Sequence, residues 1–158
     1  HTGPEGLGVL RSAPAVGALF MAAVLTQFPI KRKVGRWLLM SVAVFGLANF
    51  VFGMSTHMGL SIVALMLAGA ADNVSVVVRL TRMQLETPDD MRGRVAAVNS
   101  IFIGASNQLG EFESGATAAA WGPVGSAVFG GLATVGVAFA ALKIFPDLAK
   151  RDQMVLPK

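Results

Sequence analysis

The sequence predicts an all-α integral membrane protein with five transmembrane helices, and two observations predict it. Of 158 residues, 54% are hydrophobic and only 14% are charged, where a soluble domain carries about 25% charged residues. All but one of the 13 Lys and Arg residues fall in three clusters separated by long apolar runs. The clusters are Lys31, Arg32, Lys33 and Arg36; then Arg79, Arg82, Arg92 and Arg94; then Lys143, Lys150, Arg151 and Lys158. Arg11 stands apart. Each gap between clusters is long enough for two crossings, and the midpoints, 55–59 and 120–123, hold no Lys or Arg. Basic loops retained on one side of a bilayer give this pattern.

A crossing helix needs about 20 mostly apolar residues. The first span is expected over 8–27 and is closed by Pro29. The second is expected over 37–54, the third over 60–78, the fourth over 95–119 and the fifth over 123–145, with a tail over 146–158. The positive-inside rule places the three basic clusters in the cytoplasm, 1–7 outside and the C-terminus inside. Trp37 and Trp121 fall at expected membrane–water boundaries, where indole rings are favoured. Between the third and fourth spans, Thr87 is read as a helix cap, Pro88 as a first helical residue, and Asp89 and Asp90 as dipole partners. Pro88 to Arg92 is then a short helical turn broken at Gly93, with an ordinary polar loop as the alternative. Small residues recur every four positions on the fourth span (Ser106, Gly110, Ser114, Ala118) and on the fifth (Gly122, Ser126, Gly130, Thr134, Ala138). Such stripes let helix backbones approach.

The basic residues sit between apolar spans, so the net charge of +4 is read as a topology signal and not as a nucleic-acid face. With no Cys and only two His, the chain lacks thiolate chemistry and a base placed within a span. No G-x-S-x-G or H-E-x-x-H motif is present. No enzymatic activity, metal or cofactor is expected. The chain opens on His1 with no signal-peptide pattern, and is expected to be a fragment of a longer protein.

Ionisable groups within a membrane are costly, so each is a functional candidate. Glu111 and Glu113 are two residues apart on the fourth span and point to opposite faces. Asn107 and Glu111 share a face, with Gln108 on its flank. Glu111 is the candidate for proton uptake and release; holding the bundle together is its bland alternative. Arg11 and Glu113 are expected at similar depth and can form an ion pair. Asp72 is seven residues from Arg79 and on its face, which suggests a charge network with Arg79 or Arg36 closing an inner gate. Asn49 and Asn99 are expected to hydrogen-bond between helices.

Several stretches resemble a known family. Glu86-Thr87-Pro88-Asp89 followed by Arg92-Gly93-Arg94-Val95 is similar to the loop between the tenth and eleventh helices of major facilitator superfamily transporters. Lys33-Val34-Gly35-Arg36 resembles that superfamily's basic inter-helix motif, with Arg32 in place of its usual acidic residue. Gly3-Pro4-Glu5-Gly6-Leu7-Gly8, leading into Ala13-Pro14-Ala15-Val16-Gly17, resembles the eighth helix of the branch that includes the enterobactin exporter. The stretch from Asn99 to Gly115 resembles that branch's eleventh helix. The resemblance covers the whole chain and implies helices eight to twelve of a twelve-helix protein. It further implies a bacterial inner-membrane exporter of a small molecule, a drug or siderophore, driven by protons and working with a missing N-terminal half. A membrane scaffold or assembly subunit is the alternative; the carboxylates and amides in the fourth span weigh against it.

Overall fold

The structure is a computed structural model and describes residues 4–30 and 33–144. Lys31, Arg32 and the tail over 146–158 therefore lie outside the described residues. Those described are all-helical, with no strand. Helix α1 is Pro4–Gln27, α2 Val34–Met54, α3 Met58–Glu86 and α4 Arg92–Ile144. All four are long and apolar enough to cross a membrane.

Helix α4 is two helical limbs. Gly122, at φ 77° and ψ 166°, interrupts it, in a region of backbone space that is essentially glycine-only. Pro123 follows and cannot supply an N–H to the preceding turn. The chain folds back there: Ser126 Oγ donates to the Ser114 carbonyl at 3.2 Å and lies 2.7 Å from Thr117 Oγ1. In a straight helix, twelve residues would separate Ser114 and Ser126 by about 18 Å. Trp121 closes the tip with its ring edge against Phe129, at 5.3 Å between centroids.

In space the order is α1, α3, α2, α4, since the extensive contacts are α1 with α3, α3 with α2 and α2 with α4. The buried face of α3 follows a helical period in small side chains: Ser61, Ala64, Ala68, Ala71 and Ser75, ending on Val78. Where α1 crosses α3, a side chain at Gly17 would collide with the Met66 carbonyl, and one at Gly69 with the Pro14 carbonyl. Helix α2 meets the second limb of α4 in the same manner. A Cβ on Gly131 would stand 2.6 Å from the Phe50 nitrogen and 2.8 Å from the Gly46 oxygen. The sequence singled out other small residues for close approach. Gly110 and Gly130, within the expected stripes, have nothing within 4 Å of a built Cβ. Gly110, Ser114, Ala118, Ser126, Gly130 and Thr134 of those stripes line an open groove instead, whereas Ala138 is buried. The apolar core proper sits at one end, where Val34, Val74 and Val78 pack with Met21, Leu25, Ile30 and Leu38.

Local readings also change. Helix α3 continues past Val78 to Glu86, because nothing from Arg79 to Glu86 breaks a helix and Arg82 pairs with Glu86 one turn on. Thr87 ends α3 as its C-cap, with Oγ1 bonded back to the Met83 carbonyl, and does not start a helix. Residues 88–91 form a turn, closed by Met91 N–H to the Pro88 carbonyl at 3.0 Å. Helix α4 then starts at Arg92 and runs through Gly93 unbroken; a single glycine costs a helix only about 1 kcal/mol.

Candidate functional site

Glu113, Ser114 and Thr117 of the first α4 limb and Ser126 and Thr134 of the second line one groove. It has a volume of about 830 Å³ and lies between α2 and the two limbs. Its first-limb wall carries Gly110, Glu113, Ser114, Thr117 and Ala118, which are spaced at three and four residues and so share one face. The second limb contributes Ser126, Gly130 and Thr134, and α2 contributes Phe45 and Asn49. The small-residue stripes thus widen a cavity where large side chains would fill it.

Most hydroxyls in the groove are bonded to nearby backbone. Thr134 Oγ1 donates to the Gly130 carbonyl and Thr117 Oγ1 to the Glu113 carbonyl, both at 2.8 Å. Asn49 Nδ2 donates to the Phe45 carbonyl on its own helix at 2.9 Å. That corrects the expectation of an interhelical bond from Asn49: its amide N–H is taken by the i−4 carbonyl of its own helix. Glu113 is the charged group of the wall, and among the described residues no ion pair holds it. Such a groove can accept a hydrogen-bond donor, a cation or a proton at Glu113. It offers apolar contact at Phe45 and Phe129.

The other candidates are dispersed. Asn107, Gln108 and Glu111 are exposed on the first limb. Glu111 stands roughly a quarter turn from the centre of the groove wall. Arg11 is exposed on α1, which packs mainly on α3, whereas Glu113 belongs to α4, which packs on α2. Asp72 is exposed, and Arg79 Nε donates to the Ser75 carbonyl at 3.2 Å. Arg36 is exposed in the first turns of α2. Beside Asp72, Asn73 Oδ1 is buried without a partner among the described residues.

Within the Arg92-Gly93-Arg94 motif, the first arginine has a definite task. Arg92 Nε lies 3.1 Å from the Gln84 carbonyl and 3.3 Å from the Thr87 carbonyl, and Nη1 lies 2.7 Å from Asp89 Oδ1. It clamps the end of α3 to the start of α4. Gly93 lines the small hollow beneath the clamp, and Arg94 is exposed.

Sequence reasoning passed over Gly17, Gly69, Gly46 and Gly131 as the close crossings. It also did not foresee that Asn49 and Glu113 line the same groove. Ala13 and Gly17, four apart, carried a readable small-residue signal on α1. Nothing in the sequence pairs α2 with the second limb of α4.

The chain is 28% identical over 155 residues to the enterobactin exporter EntS of Citrobacter koseri. The alignment covers 97% of this chain and 37% of that protein, so the chain spans well under half of its relative's length. No family model matches the chain. No solved structure matches it. The chain is thus distantly similar to an exporter, and its described part is helical and of multi-pass membrane type.

Proposed function

We propose that this chain forms helices eight to twelve of a twelve-helix major facilitator transporter that exports a small molecule by alternating access, coupled to protons. The observation that carries the reading is the match to an exporter along 97% of the chain. In this reading the limbs of α4 on either side of Gly122 are separate crossings, which makes five. The fold-back at Ser114, Thr117 and Ser126 supports that count. So does length: the 53 residues of α4 would extend about 80 Å if straight, against about 30 Å of hydrocarbon. The basic ends face the cytoplasm of a bacterium, and the remaining helices supply the other half about a midplane site.

Cargo of the siderophore or drug class fits the groove's mixture of aromatic, small and hydroxyl side chains. A groove with a carboxylate wall favours neutral or cationic cargo over anionic cargo. Glu111 is the proton carrier in this reading, because its face of the first limb is left open by α1, α2 and α3 and can meet the other half. In the whole protein reconstituted in vesicles, Glu111→Gln should abolish pH-gradient-driven efflux while leaving expression and thermal stability intact. Enterobactin and a lipophilic cationic dye are the first cargos to try. Coupled efflux that survives the substitution would remove Glu111 from the mechanism. Failure of both cargos and of a wider set of small molecules would count against the exporter reading itself.

A further inference from the structure

A second cavity lies at the basic end of the bundle, away from the groove. It has a volume of about 340 Å³ and sits between the start of α2 and the end of α3. Its floor is apolar, formed by Val34, Leu38 and Val78, and its rim carries Arg79, Arg82 and Glu86. Trp37 is exposed in the first turn of α2, and an indole there marks the headgroup level of a bilayer. The cavity therefore opens where lipid phosphates lie.

The arginines are placed to use that position. Arg79 is held to its own helix through Nε, which donates to the Ser75 carbonyl; among the described residues no carboxylate forms an ion pair with it. Arg82 bonds Glu86 through Nε and Nη2 and leaves its Nη1 donors to turn elsewhere. The Arg82–Glu86 pair is a partly exposed i,i+4 contact, and such pairs are weak enough for a phosphate to compete with. Helix α2 begins at this cavity with no acidic residue in its first turn and no side-chain cap at Lys33, so the start of α2 adds no negative charge, and among the described residues Glu86 is the one carboxylate of the lining. Two guanidinium groups over an apolar floor match a headgroup phosphate and the glycerol and acyl carbons beside it.

We propose that this cavity binds the phosphate headgroup of an anionic membrane lipid, with Arg79 and Arg82 as its ligands. The inference is independent of transport, and its readout is lipid retention. The whole protein is placed in bilayer nanodiscs of phosphatidylcholine with a minor fraction of phosphatidylglycerol, then stripped in detergent, and the bound lipids are weighed by native mass spectrometry. The wild type should retain phosphatidylglycerol in preference to phosphatidylcholine. Arg79→Gln and Arg82→Gln should each weaken that retention about fivefold, and together about thirtyfold. Glu86→Gln should strengthen it, because it removes the competing carboxylate; a purely structural ion pair would give no gain. Arg94→Gln, outside the cavity, should leave retention unchanged. Protection by glycerol phosphate equal to that by the lipid would reassign the site to a soluble phosphate. Equal retention of the two lipids by the wild type would overturn the proposal, whatever the variants do, as would failure of the protein to enter a bilayer at all.

Discussion

At the scale of single residues, the structure turns on glycines whose hydrogens face another backbone. Gly17 against Met66 and Gly69 against Pro14 let a carbonyl oxygen approach where a side chain would sit, close enough for weak Cα–H···O contacts. Gly69→Val should drive α1 from α3 and cost about 1–3 kcal/mol or more. A lowered thermal midpoint of the whole protein in detergent would register it. Gly8→Ala is the control, since nothing lies within 4 Å of its Cβ position, and it should be neutral or slightly stabilising. Arg92 is the other residue with an outsized role. Arg92→Ala leaves the Gln84 and Thr87 carbonyls without their guanidinium donor and should cost about 1–2 kcal/mol. Faster amide hydrogen exchange over 84–95 would report it, and Arg94→Ala should show no such change. Lysine should rescue Arg92 poorly, because one ammonium cannot reproduce the planar fork.

Among elements, the fold-back of α4 decides most. Gly122 holds a conformation that costs another residue about 1–3 kcal/mol, although its Cβ position is open. The obstacle is therefore torsional and not steric contact with a neighbour. The chain has no Cys, so a cysteine pair reports geometry without background. Thr117→Cys with Ser126→Cys should cross-link readily, since the two hydroxyl oxygens are 2.7 Å apart. Adding Gly122→Val should reduce the yield. An unchanged yield would show that packing of the limbs, and not the glycine, directs the reversal. The end of α3 makes the complementary point. The apolar run fades after Val78, which set the expected end of the span, yet the helix goes on to Glu86. Hydropathy reports where a bilayer could end, whereas backbone hydrogen bonding continues until a residue such as Pro88 stops it.

For the molecule as a whole, the packing order α1, α3, α2, α4 separates residues that depth along the sequence had brought together. Arg11 and Glu113 can share a depth and still sit on helices that pack on different neighbours. Their expected ion pair would need a different arrangement of the helices. If the pairing is part of the transport cycle, Arg11→Glu should lose export and Glu113→Arg should restore it; absence of rescue would favour the packing seen here. The first limb of α4 is exposed over 101–116. Its apolar members Ile101, Phe102, Leu109 and Phe112 are each more than two-thirds exposed in this chain. In the proposed transporter this limb meets lipid on one side and other helices on the other, where Asn107, Gln108 and Glu111 would be used.

The sequence by itself determined the class of structure. Apolar runs, sparse charge and clustered arginines are properties of composition and spacing, and they require long helices with polar connections whatever the packing. It also marked a connection between the spans expected over 95–119 and 123–145, in a stretch that holds no Lys or Arg. Tertiary structure alone decided which helices touch, which small residues mark crossings and which line a cavity, and that Glu113 and Asn49 share a groove. The reason is physical. Within an apolar chain every helix face is acceptable to lipid, so hydrophobic periodicity loses its power to say which face meets which. The choice passes to the fit of backbone against backbone at Gly17, Gly69, Gly46 and Gly131, which is a property of shape between distant segments and is not written in either one.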